Sequence, residues 1–475
     1  MKTRVFIQIS TLFLLLPLAA CGQSGGKGIK PFSGFAPFAG DQPGREQPRD
    51  QSNDSAGTED TPASGDPSGR PMPDYADAAT SSDPTAALAI TNINELAATT
   101  GAAAYRQAGY LGQGLKIAIL DNGFAGFKNS LDAGRLPADT QYIAGRDGSS
   151  SADTAHGTKL AELVHGFAPQ AKLILINSNG YTNFVRAIDH AIKNQVHMVL
   201  YAQVWEYGGN FDGRGFINSE VNKAVNAGIL WVNAAGNYGL ASWEGQLHAF
   251  NGNRAVVSPA LENEKIRFHL PAGSNIKIVL AWDDFQDGKD YRTAEDFDLI
   301  VEDSSGTREV AASRMIQDGQ DHGLDEKYSA HARELIRSQL PQGTWTLRIE
   351  AKNPQAIRRP VKFRISVDAF GAQILDGRSR NSIMIPADNP GVLAAGAWDT
   401  TMSGTGAGIL EEKPDFIAPS RLVFSDGQSI MGSSSAAGVA TGALAVWQSR
   451  YGILNTVGNW RAAGFGRRFY LPAPW

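Results

Sequence analysis

The chain has 475 residues, more than a typical single domain, so its length predicts two folded units plus tails. Its 43 basic and 48 acidic residues leave a net charge of −5, which gives no electrostatic reason to expect a nucleic-acid partner. Because it has a single cysteine, Cys21, it cannot form an internal disulfide or a thiolate metal cluster.

The N-terminus has the pattern of an export signal. Lys2 and Arg4 precede an apolar run at 5–16, and small residues follow immediately before Cys21. The apolar run is short for a membrane helix, which needs about 20 apolar residues. Residues 1–20 are therefore predicted to be a signal peptide that is removed on export.

The residues Leu-Ala-Ala-Cys at 18–21 resemble the lipobox of bacterial lipoproteins. This resemblance implies cleavage before Cys21, acylation of that cysteine and attachment to a membrane, for which more than one acyl chain is needed. An ordinary signal peptide with an incidental cysteine is the alternative. Gly22 is not the aspartate associated with inner-membrane retention, so the resemblance to Gram-negative sorting favours the outer membrane or the cell surface.

Residues 21–87 are predicted to form a disordered tether. They are rich in Gly, Pro, Ser, Asp and Thr, with few aliphatic residues, and so cannot bury enough apolar surface to offset the entropy of ordering the chain. Such a tether would let a folded body stand away from the membrane.

From residue 88 onward, short apolar runs alternate with helical segments. Amphipathic spacing predicts helices over 184–193 and 217–227. Apolar runs with the character of buried strands lie at 115–120, 173–176, 198–202, 229–234 and 392–397. This alternation predicts an α/β fold with a mainly parallel sheet that is covered by helices on both faces.

Between about residues 251 and 370 the hydrophobic period changes to two, as in the runs at 265–270, 345–350 and 361–367. Alternation of this kind predicts half-buried antiparallel strands. We therefore expect a β-sandwich at 251–370, inserted into an α/β domain that comprises 88–250 and 371–475.

Two segments carry residues typical of a hydrolytic site. Asp121 follows a predicted strand, at the carboxyl end where open α/β sheets place their ligands, although an aspartate there more often caps a turn. His156 opens a helix whose other face is apolar. His165 is its nearest competitor, but it ends the same helix.

A third segment is a serine-rich turn that leads into a helix of small residues. Backbone N–H groups and the positive end of the helix dipole would stabilise a developing oxyanion at this place. The alternative is a serine cap on a buried helix. From the residues alone, Ser433, Ser434 and Ser435 are all candidates for a nucleophile.

These segments resemble the three signatures of the subtilisin family: Ile-Leu-Asp-Asn-Gly at 119–123, His-Gly-Thr at 156–158 and Gly-Ser-Ser-Ser-Ala-Ala at 432–437. Their order, Asp, His, Ser, is also that of the family. Trp-Val-Asn-Ala-Ala-Gly-Asn at 231–237 resembles the family's oxyanion-hole strand, and 413–419 resembles the stretch leading toward the nucleophile.

The resemblance implies a subtilisin-like, three-layer, doubly wound fold and a serine endopeptidase that acts on proteins or peptides. It assigns the triad to Asp121, His156 and Ser434, because Gly432, Ala436 and Gly442 fix the register of the serine run. It also implies that Asn237 completes the oxyanion hole. Residues expected at the substrate-binding pocket are Ala202, Ala235 and Gly236.

The chain departs from the family pattern at three places. Lys159 replaces a frequent histidine, Ala202 falls where a serine often lies on the substrate-binding strand, and Gly438-Val439 replaces a usual Pro-His pair. None of these changes removes a catalytic group, but they leave open the shape of the pocket and the rigidity of the helix.

The predicted insert resembles the jelly-roll or pre-peptidase-type domains that accompany many subtilisin-like proteases. Its aspartates offer oxygen ligands for calcium, the candidates being Asp283, Asp284, Asp296 and Asp298. Solvated turn carboxylates are the default interpretation, so no cofactor is expected.

The main alternative function is a catalytically inert, lipid-anchored surface protein that binds a partner through the β-sandwich. Occupation of all four catalytic positions counts against it. An esterase would use the same triad logic, but the Gly-x-Ser-x-Gly elbow of that fold is not present around Ser434.

Overall fold

The computed structural model describes residues 89–146, 154–257, 265–287, 293–323, 325–407, 410–463 and 465–474. All of them belong to one compact unit, Pro62–Trp475. The predicted signal peptide, Cys21 and the tether lie outside the described residues. In the part of the chain that is described, no helix combines the length and the apolar character that crossing a membrane requires.

The strands, in chain order, are β1 Lys116–Asp121, β2 Gln141–Ile143, β3 Lys172–Asn177, β4 Met198–Tyr201, β5 Leu230–Ala234, β6 Ser242–Gln246, β7 Ala249–Asn251, β8 Arg254–Val256, β9 Ile266–Leu270, β10 Ser274–Trp282, β11 Phe297–Glu302, β12 Glu309–Ser313, β13 Arg333–Leu340, β14 Gly343–Ala351, β15 Lys362–Asp368, β16 Gln373–Ile374, β17 Leu393–Ala397, β18 Phe416–Ala418, β19 Leu422–Val423 and β20 Ser429–Ile430. The α-helices are α1 Ile93–Thr99, α2 Ala102–Gln107, α3 Phe127–Asp132, α4 His156–Phe167, α5 Tyr181–Lys193, α6 Phe216–Asn226, α7 Ser433–Tyr451 and α8 Val457–Ala462.

A seven-stranded sheet in the order β18-β17-β5-β4-β1-β3-β2 forms the centre of the α/β part. Every pairing in it is parallel. Parallel strands buried on both faces favour continuous apolar runs, and β1 and β3 to β5 have that character. The predicted α/β fold with a parallel sheet is confirmed.

Helices cover both faces of this sheet, which gives three layers. On one face, α5 and α6 contribute Phe184 and Val221 to a buried apolar cluster that continues into the antiparallel sheets. On the other face, α4 and α7 contribute Leu163 and Val439 to a second cluster. The periodicity of α5 and α6 had predicted both helices to within a few residues of their bounds.

The antiparallel strands β6 to β16 form two further sheets, β13-β10-β15-β6 and β12-β11-β14-β8-β7, with β9 paired to β14 and β16 paired to β9. Phe297 from one sheet packs edge-on against Trp282 and Phe363 from the other, with ring centroids 5.2 and 5.0 Å apart. Edge-to-face contacts of this kind add to the area that the rings bury. The two sheets therefore share an aromatic core.

Glycines set the separation between α4 and α7. A Cβ at Gly438 would lie 2.8 Å from Leu163 Cδ2, and one at Gly442 would lie 2.7 Å from Phe167 Cβ. Both distances are too short for carbon atoms. At Gly442 the clash is with Phe167 Cβ, next to the backbone of α4, so the close packing of these helices requires glycine there. The helix is continuous through Gly438-Val439.

We predict that Gly442→Ala destabilises the protein by about 1–3 kcal/mol, because the new methyl would clash with the buried Phe167. In an isolated helix the same change would stabilise by up to about 1 kcal/mol. Urea denaturation measures the difference. The matched control is Gly458→Ala in α8, where the nearest atom to the new Cβ is Thr456 Oγ1 at 3.5 Å and no loss is expected. Stability equal to or above wild type in Gly442→Ala would contradict this account of the packing.

Candidate active site

Asp121 and His156 are in direct contact. Asp121 is the last residue of β1, and His156 is the first residue of α4. The imidazole Nδ1 lies 2.6 Å from Asp121 Oδ2, and the backbone N–H of Gly123 donates to Oδ1 at 3.2 Å. Both carboxylate oxygens are thus engaged. His165 lies instead in the last turn of α4, where burial lowers its pKa.

A glycine makes this contact possible. A Cβ at Gly157 would lie 2.7 Å from Asp121 Cβ and 2.5 Å from Phe124 Cε1, so any other residue would push the start of α4 away from β1. Its backbone N–H donates to the carbonyl of Gly123 at 3.0 Å, which fixes the approach of the helix. Side-chain-to-backbone bonding also helps to begin the helix, since Thr154 Oγ1 accepts from the His156 N–H at 3.1 Å.

Ser434 lies in the first turn of α7 and is buried. Its hydroxyl donates to the carbonyl oxygen of Ala202 at 3.0 Å. Ala202 directly follows β4, which pairs with β1 in the parallel sheet. The serine therefore lies at the same carboxyl edge of the sheet as Asp121.

Gln203 is a polar contact of the histidine that the sequence did not single out. Its Nε2 lies 3.2 Å from His156 Nδ1, and Asn122 Nδ2 donates to its Oε1 at 3.1 Å. The Gln203 side chain therefore links His156 to Asn122, the residue that follows Asp121. The signal available in the sequence was a glutamine placed directly after the apolar run at 198–202.

Hydrogen bonds from Ser433 hold the side-chain oxygen of Asn237. Its Oδ1 accepts from the backbone N–H of Ser433 at 3.0 Å and from the Ser433 hydroxyl at 3.1 Å. The same hydroxyl accepts from the Gly236 N–H at 3.1 Å. Since an amide with its oxygen fixed has its NH₂ group at the other end, Ser433 determines which way Asn237 can donate.

A cavity of ≈ 220 Å³ adjoins these residues, and Ser434 and Asn237 are among those that line it. Of the residues expected at the substrate-binding pocket, Ala202 and Gly236 also line it. Ala235 is not one of the lining residues. It is fully buried in a separate apolar cluster with Ile383 and neighbours, because successive residues of an extended chain point to opposite sides.

Lys159, which replaces a frequent histidine of the family, lies away from the triad contacts described above. Its Nζ is 3.5 Å from Glu162 Oε2 and lies over the ring of Phe424, 5.3 Å from the centroid. Glu162 also accepts from Arg135 Nε at 2.8 Å. The substitution therefore belongs to a partly buried charge network on α4.

Two of the four aspartates considered for calcium form ion pairs. Asp283 pairs with Arg359 at 2.8 Å, and Asp298 pairs with Lys352 at 2.8 Å. Burial, together with the neighbouring Asp298, raises the pKa of Asp296 to about 6. Among the residues that the structure describes, no group of three or more His, Cys, Asp or Glu could hold a metal ion.

Comparison with known proteins connects this geometry to a family. Residues 112–295 match the model of the subtilase family. The thermostable alkaline protease of Halalkalibacterium halodurans is 29% identical over 146 residues, 28% of this chain and 38% of that protein. Subtilisin E of Bacillus subtilis is 28% identical over 196 residues, 38% of this chain and 49% of that protein. The chain spans about half or less of the length of these relatives.

Two solved structures were compared as well. The CspB protease of Clostridium perfringens has a TM-score of 0.49 and 14% identity, with 78% of this chain and 93% of that chain covered. The pre-peptidase C-terminal domain of a Bacillus anthracis collagenase has a TM-score of 0.17 and 9% identity, with 27% of this chain and 89% of that chain covered. The jelly-roll or pre-peptidase resemblance of the antiparallel sheets stays a prediction.

The family match covers most of the first half of the α/β part, including Asp121, His156 and Asn237. One of these relatives is named as a protease and the other as a subtilisin. Residues 112–295 are therefore similar to the subtilase family, and the strand order shows an α/β part with a parallel sheet that carries additional antiparallel sheets.

Proposed function

We propose that this chain is a serine endopeptidase that hydrolyses peptide bonds in proteins, with Asp121, His156 and Ser434 as its triad. The observation that carries the proposal is the buried 2.6 Å contact between the Asp121 carboxylate and His156 Nδ1. It occurs at the sheet edge where the Ser434 hydroxyl and the Asn237 amide also lie. Because the matches span only about half or less of these relatives, the whole protein's activity and substrates remain part of this proposal.

In the proposed reaction, His156 Nε2 accepts the hydroxyl proton of Ser434 while Oγ forms a bond to the scissile carbonyl carbon. For this step the hydroxyl must leave the Ala202 carbonyl to which it donates in the free protein, and catalytic hydrogen bonds often form only with substrate bound. Asp121 keeps the Nδ1 proton in place and stabilises the imidazolium. Asp121 has no solvent exposure, so water does not screen this interaction.

The carbonyl oxygen becomes negatively charged in the tetrahedral intermediate. The Asn237 NH₂ group and the Ser434 backbone N–H are the proposed donors to it. The C–N bond then breaks, and the imidazolium gives its proton to the leaving amine. Water repeats the sequence on the acyl-enzyme, releasing the acid and restoring Ser434.

We predict that Ser434→Ala abolishes both casein hydrolysis and covalent labelling by a fluorophosphonate probe, because the probe reacts only with an activated hydroxyl. Ser435→Ala is the matched control, since Ser435 is also buried in the first turn of α7. It should retain labelling. Labelling of the Ser434→Ala protein would overturn the assignment of the nucleophile.

The inert binding-protein alternative gives a different result in the same experiment. A folded wild-type ectodomain that neither hydrolyses casein nor reacts with the probe would favour that alternative over a peptidase.

We predict that Asn237→Ala lowers kcat by about 10²–10³, the loss measured when subtilisin loses its side-chain oxyanion donor, while KM changes little. Ser433→Ala should lower kcat less, since the Ser433 N–H still donates to Asn237 Oδ1. Steady-state kinetics on a chromogenic peptide test both. A threefold or smaller loss in Asn237→Ala would contradict its role as an oxyanion donor.

We further propose that the protein is exported and anchored to the outer membrane or cell surface through acylated Cys21. The support for this is the lipobox-like sequence at 18–21 and the tether composition of 21–87. A membrane anchor of this kind leaves the folded part free to meet protein substrates outside the cell.

Replacing Cys21 with serine should shift the protein from the membrane fraction to the soluble fraction and abolish incorporation of labelled palmitate, because no thiol remains to be acylated. Peptidase activity per folded molecule should be unchanged. A Cys21→Ser protein that still sediments with membranes would argue against the lipid anchor.

A further inference from the structure

The cavity beside Ser434 has walls from two parts of the fold. Residues after β4 and β5, including Gly236, form one side. The other side is formed by residues 367–373, which run from the end of β15 to the start of β16 in the antiparallel sheets. We call residues 367–373 the wall segment. Its position places part of the antiparallel sheets directly at the proposed catalytic serine.

Backbone hydrogen bonds fix the wall segment at both ends. The N–H of Val367 donates to the carbonyl of Ala241 at 2.9 Å, and the N–H of Ile374, the residue after the segment, donates to the carbonyl of Leu240 at 2.8 Å. Leu240 lies three residues after Asn237 in the sequence. The wall segment is therefore held at a fixed distance from the proposed oxyanion donor.

Phe370 lies in a tight turn of the wall segment. The N–H of Ala372 donates to the carbonyl of Ala369 at 3.1 Å, and Gly371 has φ +69°, a backbone conformation that favours glycine. A Cβ at Gly371 would also lie 2.7 Å from Pro271 Cγ. Since the turn is closed and packed, Phe370 has a defined place at the cavity.

The lining of the cavity is mainly apolar. Apolar side chains come from both walls, among them Leu240, Ala241, Val367 and Phe370, and Met402 also lines the cavity. Phe370 is 54% exposed, which leaves a large apolar surface in water at the edge of a cavity that also contains Ser434. Burying that surface against an apolar group would be favourable.

The one charged residue among those lining the cavity is Asp368, and a buried cation already accompanies it. Lys277 Nζ lies 3.7 Å from Asp368 Oδ2 and 2.6 Å from Glu206 Oε1. Glu206 also accepts from the Tyr238 hydroxyl at 2.7 Å. Lys277 shares its one positive charge between these two carboxylates, so it offsets the charge of Asp368 in part.

We propose that the wall segment makes this cavity a pocket for an apolar side chain of the substrate, and that Phe370 is a specificity-determining residue. This inference rests on the proposed peptidase function. A volume of ≈ 220 Å³ is smaller than the roughly 300–1,000 Å³ of pockets that enclose a whole small ligand, and it is suited to a single side chain. The antiparallel sheets thus act in substrate selection as well as in folding.

The test compares cleavage of a peptide library by the wild-type ectodomain, Phe370→Asp and the matched control Leu375→Asp. Leu375 follows β16, is 47% exposed, and lines a different cavity. Wild type should favour Leu, Phe or Met over Lys or Arg at one substrate position. Phe370→Asp should raise the ratio of kcat/KM for Lys to that for Leu by about tenfold or more, because a carboxylate replaces the phenyl group at the rim. Leu375→Asp should leave the ratio within about twofold.

Fluorophosphonate labelling of the same proteins separates failure of the proposed peptidase function from failure of the proposed role of the wall segment. If the variants label and cleave but Phe370→Asp and Leu375→Asp show the same preference as wild type, the role of the wall segment is wrong and the peptidase function stands. If wild type neither labels nor cleaves, both the peptidase function and the pocket assignment are wrong.

Discussion

The site depends on the burial of the Asp121 carboxylate, which has no access to solvent. Removing an ionised carboxylate from water is costly unless it is paired and hydrogen-bonded, and Asp121 is fully buried. The compensating contacts are the Gly123 N–H and the His156 ring. The ring can reach the carboxylate because Gly157 has no side chain to separate α4 from β1. The contact that orients the imidazole in the proposed triad is therefore also one that burial of Asp121 requires.

The same helix packing relates the histidine to the serine. His156 begins α4 and Ser434 lies in the first turn of α7, and these two helices pack closely through Gly438 and Gly442. A bulkier residue at Gly442 would separate the helices, and His156 and Ser434 would move apart with them. Small residues along α7 thus act on catalytic geometry through the distance between two helices.

The antiparallel sheets are joined to the α/β part by buried polar contacts as well as by apolar packing. Arg364 on β15 has no exposed side-chain surface and donates to the carbonyls of Ile383 at 2.6 Å and Asn381 at 3.2 Å. Its guanidinium lies over the ring of Phe211, 4.0 Å from the centroid. Burial lowers its pKa. Since β15 continues into the wall segment, these contacts also hold the wall of the cavity.

The sequence by itself determined the α/β class, the positions of the main strands and helices, and the residues at the centre of the site. The spacing of apolar residues and the ends of strands depend on residues that are close together in the chain, so both can be predicted from the sequence. The resemblance of the motifs supplied the proposed roles of Asp121, His156 and Ser434. The tertiary structure alone decided which residues surround them. Gln203 meets His156, and Ser433 meets Asn237, across 47 and 196 positions of sequence. The wall segment reaches Ser434 only because the antiparallel sheets bond to the chain that follows β5, and such long-range contacts follow from packing that no local pattern encodes.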